Sequence, residues 1–323
     1  MAVMKSNLRG ALKALLAFGI WATHDVVVKT LGGIYSPVQI IFFSVLLGFP
    51  IVTLMLMSDR TDGNLRPRHP WWTLIRTVSA VITGLTAFYA FSVLPLAQTY
   101  AILFATPLLI TMLAIPLLGE KVGVRRGLAV VVGLIGVMIV LRPGQANLGL
   151  GHLSALTAAV FASLASVIVR KIGQDERSVV LVLYPMAANF IVLGLALPFV
   201  YRPMPIEHVG MLGIIAAFGF VSTLLVISAY RTAEAVIVAP MQYSQIIWAA
   251  FYGAIFFDEH PDLYTVIGAS VIIASGIYIV LREGGGKVVT NRPVIESRTR
   301  PDTGTMPRIS VLLNRLKARD AAQ

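Results

Sequence analysis

The chain has no cysteine. This excludes a disulfide framework, a thiolate metal site and a cysteine nucleophile, and it leaves the compartment open. Charge is also scarce: Asp, Glu, Lys and Arg make up 13% of the 323 residues, against roughly 25% in soluble domains. Acidic groups are the scarcest, 15 against 26 basic ones, for a formal net charge of +11. No Gly-x-x-x-x-Gly-Lys-Ser/Thr run occurs, so a P-loop ATPase is excluded. There is no His-Glu-x-x-His pair, and His24, His69, His152, His208 and His260 are scattered over loops and different helices. That scatter argues against a metal site and against an enzyme. No ring of charge suggests a channel filter.

Apolar side chains fill the gap. They make up 57% of the chain, and the mean hydropathy is +0.82. A single anchor cannot lift the average of a whole chain that far, so the sequence describes a polytopic membrane protein. The basic residues lie between apolar runs and in the tail, which fits a membrane surface rather than nucleic acid.

A spanning helix needs about 20 apolar residues. Stretches 38–57, 178–201, 208–230, 235–257 and 263–281 are free of Asp, Glu, Lys and Arg, and each makes one crossing. Residues 77–119 hold 43 uncharged positions, roughly 65 Å of helix at about 1.5 Å per residue, so they must fold back. Leu94-Pro95 is the natural turn. Segments 127–141, 151–169 and 11–29 bring the count to ten helices, the last carrying His24, Asp25 and a lysine at each end. With the N-terminus inside, 22 of the 26 basic residues fall on the inner side, and the outer side keeps only Lys29, Arg142 and Arg202. The expectation is N-in, C-in. No small-residue cleavage site follows the first apolar stretch, so the first helix is retained.

Gly136, Val140-Leu141-Arg142 and Gly144 recur 140 residues later as Gly276, Val280-Leu281-Arg282 and Gly284. Upstream, the segment ending at Glu120 is matched by the one ending at Glu259, one residue out of register. Five crossings per copy is an odd number, so the second copy enters from the opposite side. The fold class is therefore an all-α membrane protein of ten transmembrane helices, built as two inverted five-helix repeats. The expected divisions are a cytoplasmic N-terminus (1–10), a first repeat (11–144), a second repeat (151–283) and a basic, mostly disordered cytoplasmic tail (284–323). In the tail, Ile309, Leu312, Leu313 and Leu316 share a helical face among Arg308, Arg315, Lys317 and Arg319. Such a face suits either a short helix on an anionic leaflet or a solvated tail.

Leu94-Pro-Leu-Ala, Ala105-Thr-Pro107, Leu118-Gly-Glu120, Arg125-Arg126 and Leu141-Arg-Pro-Gly144 resemble the first repeat of the EamA branch of the drug/metabolite transporter superfamily. Gln242-Tyr243-Ser-Gln245-Ile-Ile-Trp248, Asp258-Glu259, Pro261-Asp262, Gly268 and Ala274-Ser-Gly276 are similar to the second, in the subgroup that includes S-adenosylmethionine uptake proteins. The likeness covers about residues 11–283. One departure is Ser44 after Phe42-Phe43, where such relatives often carry an Arg. The resemblance implies a secondary active transporter in the bacterial inner membrane that moves a small organic metabolite by alternating access. An S-adenosylmethionine-like or amino-acid-like substrate comes first, and export of amino acids or drugs by proton antiport is the alternative. An embedded enzyme or scaffold is a remote third. No cofactor is expected, and the partners are the substrate, the lipid bilayer and, if small-residue faces join protomers, a second copy.

Ionisable groups inside a span cost about 2.5 to 3.5 kcal/mol on insertion scales and are functional candidates by default. Asp25 sits four residues after Trp21 and four before Lys29 on one stripe. It reads either as a proton- or cation-binding carboxylate, with Lys29 a partner in coupling, or as one half of a static Asp25–Lys29 pair. His24 points about 100° away and reads as a packing or interfacial histidine. Arg76 can snorkel to the inner surface. Met241, Gln245, Trp248 and Tyr252 form a second stripe bordered by Gln242 and Tyr243. A glutamine in hydrocarbon needs hydrogen-bond partners that a polar substrate could provide. Trp21, Asp25, Tyr89, Tyr100, Gln242, Tyr243, Gln245 and Trp248 are therefore the candidate substrate contacts, with Tyr184 and Asn189 weaker. Pro107 and Pro240 should bend their helices. Glu120 and Glu259 read as structural, because each would end a helix where its charge opposes the dipole and needs donors or cations. Ala129 and Gly133, with Ser270 and Ala274, would let two helices approach closely, within one chain or between protomers.

Overall fold

The computed structural model describes residues 2–57, 65–120, 122–143, 148–173, 175–176, 178–233 and 235–285. The tail segment around Ile309–Leu316 and Gly144 lie outside the described residues. Among the described residues there is no β-strand, and the helices are α1 (Ala2–Gly32), α2 (Pro37–Met57), α3 (Pro70–Val93), α4 (Leu96–Leu103), α5 (Thr106–Leu118), α6 (Val124–Leu141), α7 (Leu150–Ile172), α8 (Ser178–Ala196), α9 (Ile206–Thr232), α10 (Ala235–Val238), α11 (Ser244–Phe257) and α12 (Leu263–Gly285). They make ten crossings. Eight are continuous enough to span by length and composition, including α4 and α5 taken together as Leu96–Leu118, and α2 adds a shorter apolar stretch, Pro37–Pro50. The remaining crossing joins α10 and α11 through a 3-10 stretch, Ala239–Tyr243.

Hydrocarbon offers no partner to a free peptide group, so runs rich in Val and Ile that would favour strands in water become helices here. Polar loops and prolines set the ends. Pro70 opens α3, and the fold-back comes at Leu94-Pro95, where both residues are extended (ψ 157° and 139°). The fourth crossing breaks again at Phe104–Ala105, just before Pro107 in the first turn of α5. Pro240 sits likewise in the 3-10 stretch that interrupts the ninth. Each proline lacks the N–H that a continuous helix would require there.

The two halves end their fourth crossings alike. Gly119 (φ 69°) and Asp258 (φ 54°) take the left-handed conformation, and the N–H of the next residue reaches back across the turn: Glu120 to Ala114 O at 3.3 Å, Glu259 to Gly253 O at 2.9 Å. This is the helix-stop geometry in which orphan carbonyls are satisfied by a reversed turn. Glycine adopts it without strain, and aspartate is among the few other residues that tolerate it.

Packing repeats the symmetry. α1 lies against α9 as α3 lies against α7, which is the same pairing with the halves exchanged, while α6 against α12, α4 against α11 and α2 against α8 straddle the shared axis. Phe104 and Tyr243, 139 residues apart, meet edge to face at 5.1 Å on that axis. Between α6 and α12 the backbones touch: a Cβ on Gly136 would stand 2.9 Å from Gly268 O, and one on Gly268 would stand 2.6 Å from Gly136 O. Ser275 adds a hydrogen bond to Ala129 O. The small-residue contact is therefore internal on the Ala129–Gly133 side. On α12 it runs through Gly268 and Ser275, because Ala274 and Ser270 are exposed and the Ser270 hydroxyl bonds its own Val266 O. Lipid is as apolar as leucine, so close packing and hydrogen bonds of this kind hold the helices together.

Candidate functional site

Asp25 is buried in α1 with 4% of its surface exposed. One carboxylate oxygen accepts from the Tyr100 hydroxyl on α4. The other lies 2.7 Å from His24 Nδ1, whose N–H donates when the carboxylate is ionised. Gln245 at the start of α11 donates to the Tyr100 hydroxyl at 3.3 Å. The helix breaks make this possible, because Tyr100 stands one turn before the first break and Gln245 just after the second. Tyr100 is held by Phe91 (5.3 Å) and Phe104 (6.0 Å). His24 is held by Phe88 (6.1 Å, edge on) and Trp21 (6.3 Å).

The aromatic stripe faces α1. Trp248 stacks on Tyr252 at 5.9 Å and 26°, and its indole lies over Gly19, where a Cβ would come within 3.3 Å of the ring. The Tyr252 hydroxyl bonds Thr23 Oγ1 at 3.0 Å. Met241 packs against Ala14, Ala229 and Val238. Asp25, His24, Tyr100 and Gln245 thus form one network, with Trp21 one turn before Asp25 on its stripe, while Trp248 and Tyr252 lie against Gly19 and Thr23, about half a turn round α1. Gln242 reaches the Tyr243 hydroxyl, but Tyr243 is 5% exposed and its ring fills the space beside Gly276 and Phe104. Tyr243 is an axis-packing residue, outside the Asp25 network. Tyr89 is half-buried on α3, and its hydroxyl has no side-chain partner among the described residues. Asn189 Oδ1, Ser44 Oγ and Thr83 Oγ1 are buried without a hydrogen bond.

Two expectations need correction. Asp25 and Lys29 do not form a local pair. Lys29 Nζ meets Glu259 Oε1 at 2.8 Å, donates to Leu94 O and lies 5.3 Å from the Phe257 ring. Glu259 Oε2 also accepts the Leu96 N–H at 3.0 Å. Glu259 needs a cation and the Leu94 carbonyl a donor, and Lys29 serves both here, while Asp25 holds a hydroxyl and an imidazole. His24 is also more than packing: adjacent side chains leave a helix about 100° apart, yet both curl toward the same space. No periodicity could signal that contact, nor the one between Thr23 and Tyr252.

At the other end of the bundle Glu120 pairs with Arg170, and Lys171 donates to Leu117 O at 2.9 Å while lying over Trp72 at 4.3 Å. Arg76 donates to Leu181 O on α8. α7 is the fifth crossing after α1, so these helices run in opposite directions, and the Lys29 and Arg170 pairs join the two halves at opposite ends.

Ten crossings in two like halves, with polar groups from both halves meeting in the interior, define a polytopic membrane transporter by class. The chain belongs to the EamA-like transporter family, whose model matches it twice, at residues 8–142 and 149–282. It is 25% identical over 282 residues to an S-adenosylmethionine uptake transporter of Rickettsia prowazekii, covering 87% of this chain and 95% of that one. It is 25% identical over 273 residues to the pseudopaline exporter CntI of Pseudomonas aeruginosa, covering 83% and 94%. An uncharacterized transporter of Helicobacter pylori is 27% identical over 288 residues, covering 84% and 93%. A solved crystal structure shares the fold with a TM-score of 0.56 at 18% identity, over 87% of this chain and 98% of that one.

Proposed function

We propose that the protein is a secondary active transporter that moves a small organic metabolite with a cationic centre across the bacterial inner membrane by alternating access. Its halves are residues 11–144 and 151–283, its N-terminus and tail face the cytoplasm, and the outer side is the one that holds Lys29. The observation that carries this reading is Asp25: a buried carboxylate where three helices meet, held by the Tyr100 hydroxyl and the His24 imidazole, with the Gln245 amide behind Tyr100. A carboxylate in hydrocarbon is expensive unless a cation joins it. Beside the Tyr100 ring and Trp21, one turn before Asp25 on the same stripe, an ammonium or sulfonium gains ring attraction as well as charge. S-adenosylmethionine, named in the Rickettsia relative, is the first candidate, and an amino-acid-like molecule the second. Proton antiport during export is the competing reading, favoured by the exporter among the relatives and by the same carboxylate, which a proton also neutralises.

The test is accumulation of labelled S-adenosylmethionine in proteoliposomes under a proton gradient. Wild type accumulates it, while Asp25→Asn keeps the shape, removes the charge that the cationic centre meets and reduces both net accumulation and exchange at least tenfold, about 1.4 kcal/mol or more; loss of accumulation with exchange intact favours the proton reading. No accumulation by wild type removes this substrate. Near wild-type accumulation by Asp25→Asn removes Asp25 from the mechanism.

A further inference from the structure

Lys29 lies one helical turn beyond Asp25, about 6 Å along α1, which is within the reach of an i, i+4 ion pair. In the structure it bypasses Asp25 and closes on Glu259, the Leu94 carbonyl and the Phe257 ring. Glu259 in turn holds the Leu96 N–H. One ammonium thus ties α1 to the end of α11 and to the turn between α3 and α4, one helical turn beyond Asp25. Among the described residues the Asp25 carboxylate is bonded by Tyr100 and His24. Two carboxylates therefore stand within range of one lysine.

We propose that Lys29 is a positioning residue shared between Asp25 and Glu259, so that the outer end closes when a cation occupies Asp25 and loosens when Asp25 is empty. This rests on the reading of Asp25 as the cation site. An empty, ionised Asp25 attracts Lys29 back along its own helix and away from Glu259. A bound ammonium or sulfonium satisfies Asp25, and Lys29 returns to Glu259. Closure is then coupled to occupancy by competition for one charge, with no wire between site and gate: the cation binds better to the state in which Lys29 is elsewhere, and this differential affinity shifts the equilibrium. The second half lacks the competitor. Arg170, the counterpart of Lys29, has Ser166 one turn before it, and the Ser166 hydroxyl is committed to Ala162 O at 2.8 Å.

The cysteine-free chain allows a direct test. Ala97→Cys places one thiol on α4 just below the turn that Glu259 holds, at a position that is 6% exposed when closed. Its labelling by an impermeant thiol reagent from outside is measured in proteoliposomes. In the Ala97→Cys protein, saturating S-adenosylmethionine slows labelling about fivefold or more. Asp25→Asn slows it equally with no ligand present. Asp25→Ser, the residue type that the second half carries, does the same and guards against a fault peculiar to asparagine. Glu259→Gln labels fast with or without ligand. Unchanged labelling in both Asp25 variants overturns the competition even if S-adenosylmethionine is transported. Slowed labelling in the Asp25 variants with no response to S-adenosylmethionine keeps the competition and overturns the substrate reading. Slow labelling in Glu259→Gln overturns the latch itself.

Discussion

Lys29 and Glu259 close one end of the bundle, and Arg170 and Glu120 close the other from matching positions with the halves exchanged. Both pairs join the last turns of a half's first helix to the carboxylate after the left-handed cap of the opposite half's fourth crossing. Their surroundings differ. The Lys29 and Glu259 side chains are 10% and 21% exposed, and the glutamate also holds a backbone N–H. Arg170 and Glu120 are both 31% exposed. The repeat thus supplies the same frame twice, and small differences in burial and in one residue four positions upstream, Asp25 or Ser166, decide what each end can respond to. Symmetry of fold does not carry over to symmetry of charge.

The comparison breaks most completely if the ends are assigned to the wrong sides. Reporter fusions after Leu281 and within residues 60–68 should read cytoplasmic and fusions at residues 144–149 external, all or none. An external tail reverses inner and outer.

Next in size are the two carboxylates. Glu259→Gln leaves Lys29 buried with a weakened partner and should cost about 2 to 3 kcal/mol in denaturant unfolding. Glu120→Gln, at the wetter pair, should cost about 1 kcal/mol or less. Equal losses would mean that the difference in burial has no energetic consequence.

The stripe of Gln245, Trp248 and Tyr252 sharpens the contrast between a site and a core. Gln245→Ala and Trp248→Ala should each weaken binding of S-adenosylmethionine roughly tenfold, about 1.4 kcal/mol, with folded protein near wild-type amount in the membrane. If abundance falls while affinity per molecule holds, the stripe is packing.

The smallest effect belongs to the loop at the outer end. Asp262 accepts the Thr265 N–H at 2.9 Å and pairs with Arg142. Burial pushes its carboxyl upward, but the Thr265 hydrogen bonds and the Arg142 charge outweigh that and leave it below the usual carboxylate value. A lowered folded value gives stability that is present above the unfolded value, near 4, and is lost as pH falls through the folded one. Asp262→Asn keeps a capping oxygen. It should therefore cost about 0.5 kcal/mol at pH 7, after screening at a half-exposed site, and less at pH 3. Thermal unfolding of both proteins at the two pH values checks it, and an equal cost at both would remove the charge from the account.

Much of this architecture is legible in the sequence for one physical reason. Hydrocarbon allows a chain few options, so uncharged runs of sufficient length become helices, a 43-residue run must turn back, and a displaced copy of Val-Leu-Arg declares the repeat. The same logic makes Asp25 conspicuous, since a carboxylate amid apolar residues stands out whatever surrounds it. Tyr100 and Gln245 were legible as candidates but not as neighbours, because 145 residues separate them.

Pairings were decided only by the tertiary structure. Helical spacing offered Lys29 one partner on its own helix, while the fold brought Glu259 from 230 residues away and placed it beside a free backbone N–H. It also curled His24 onto Asp25 and packed Tyr243 against Phe104 on the axis. Local periodicity fixes which face a side chain occupies. Which of several charges meets it depends on where the two halves dock, and a lysine with two carboxylates in range is settled by the remaining bonds each can make.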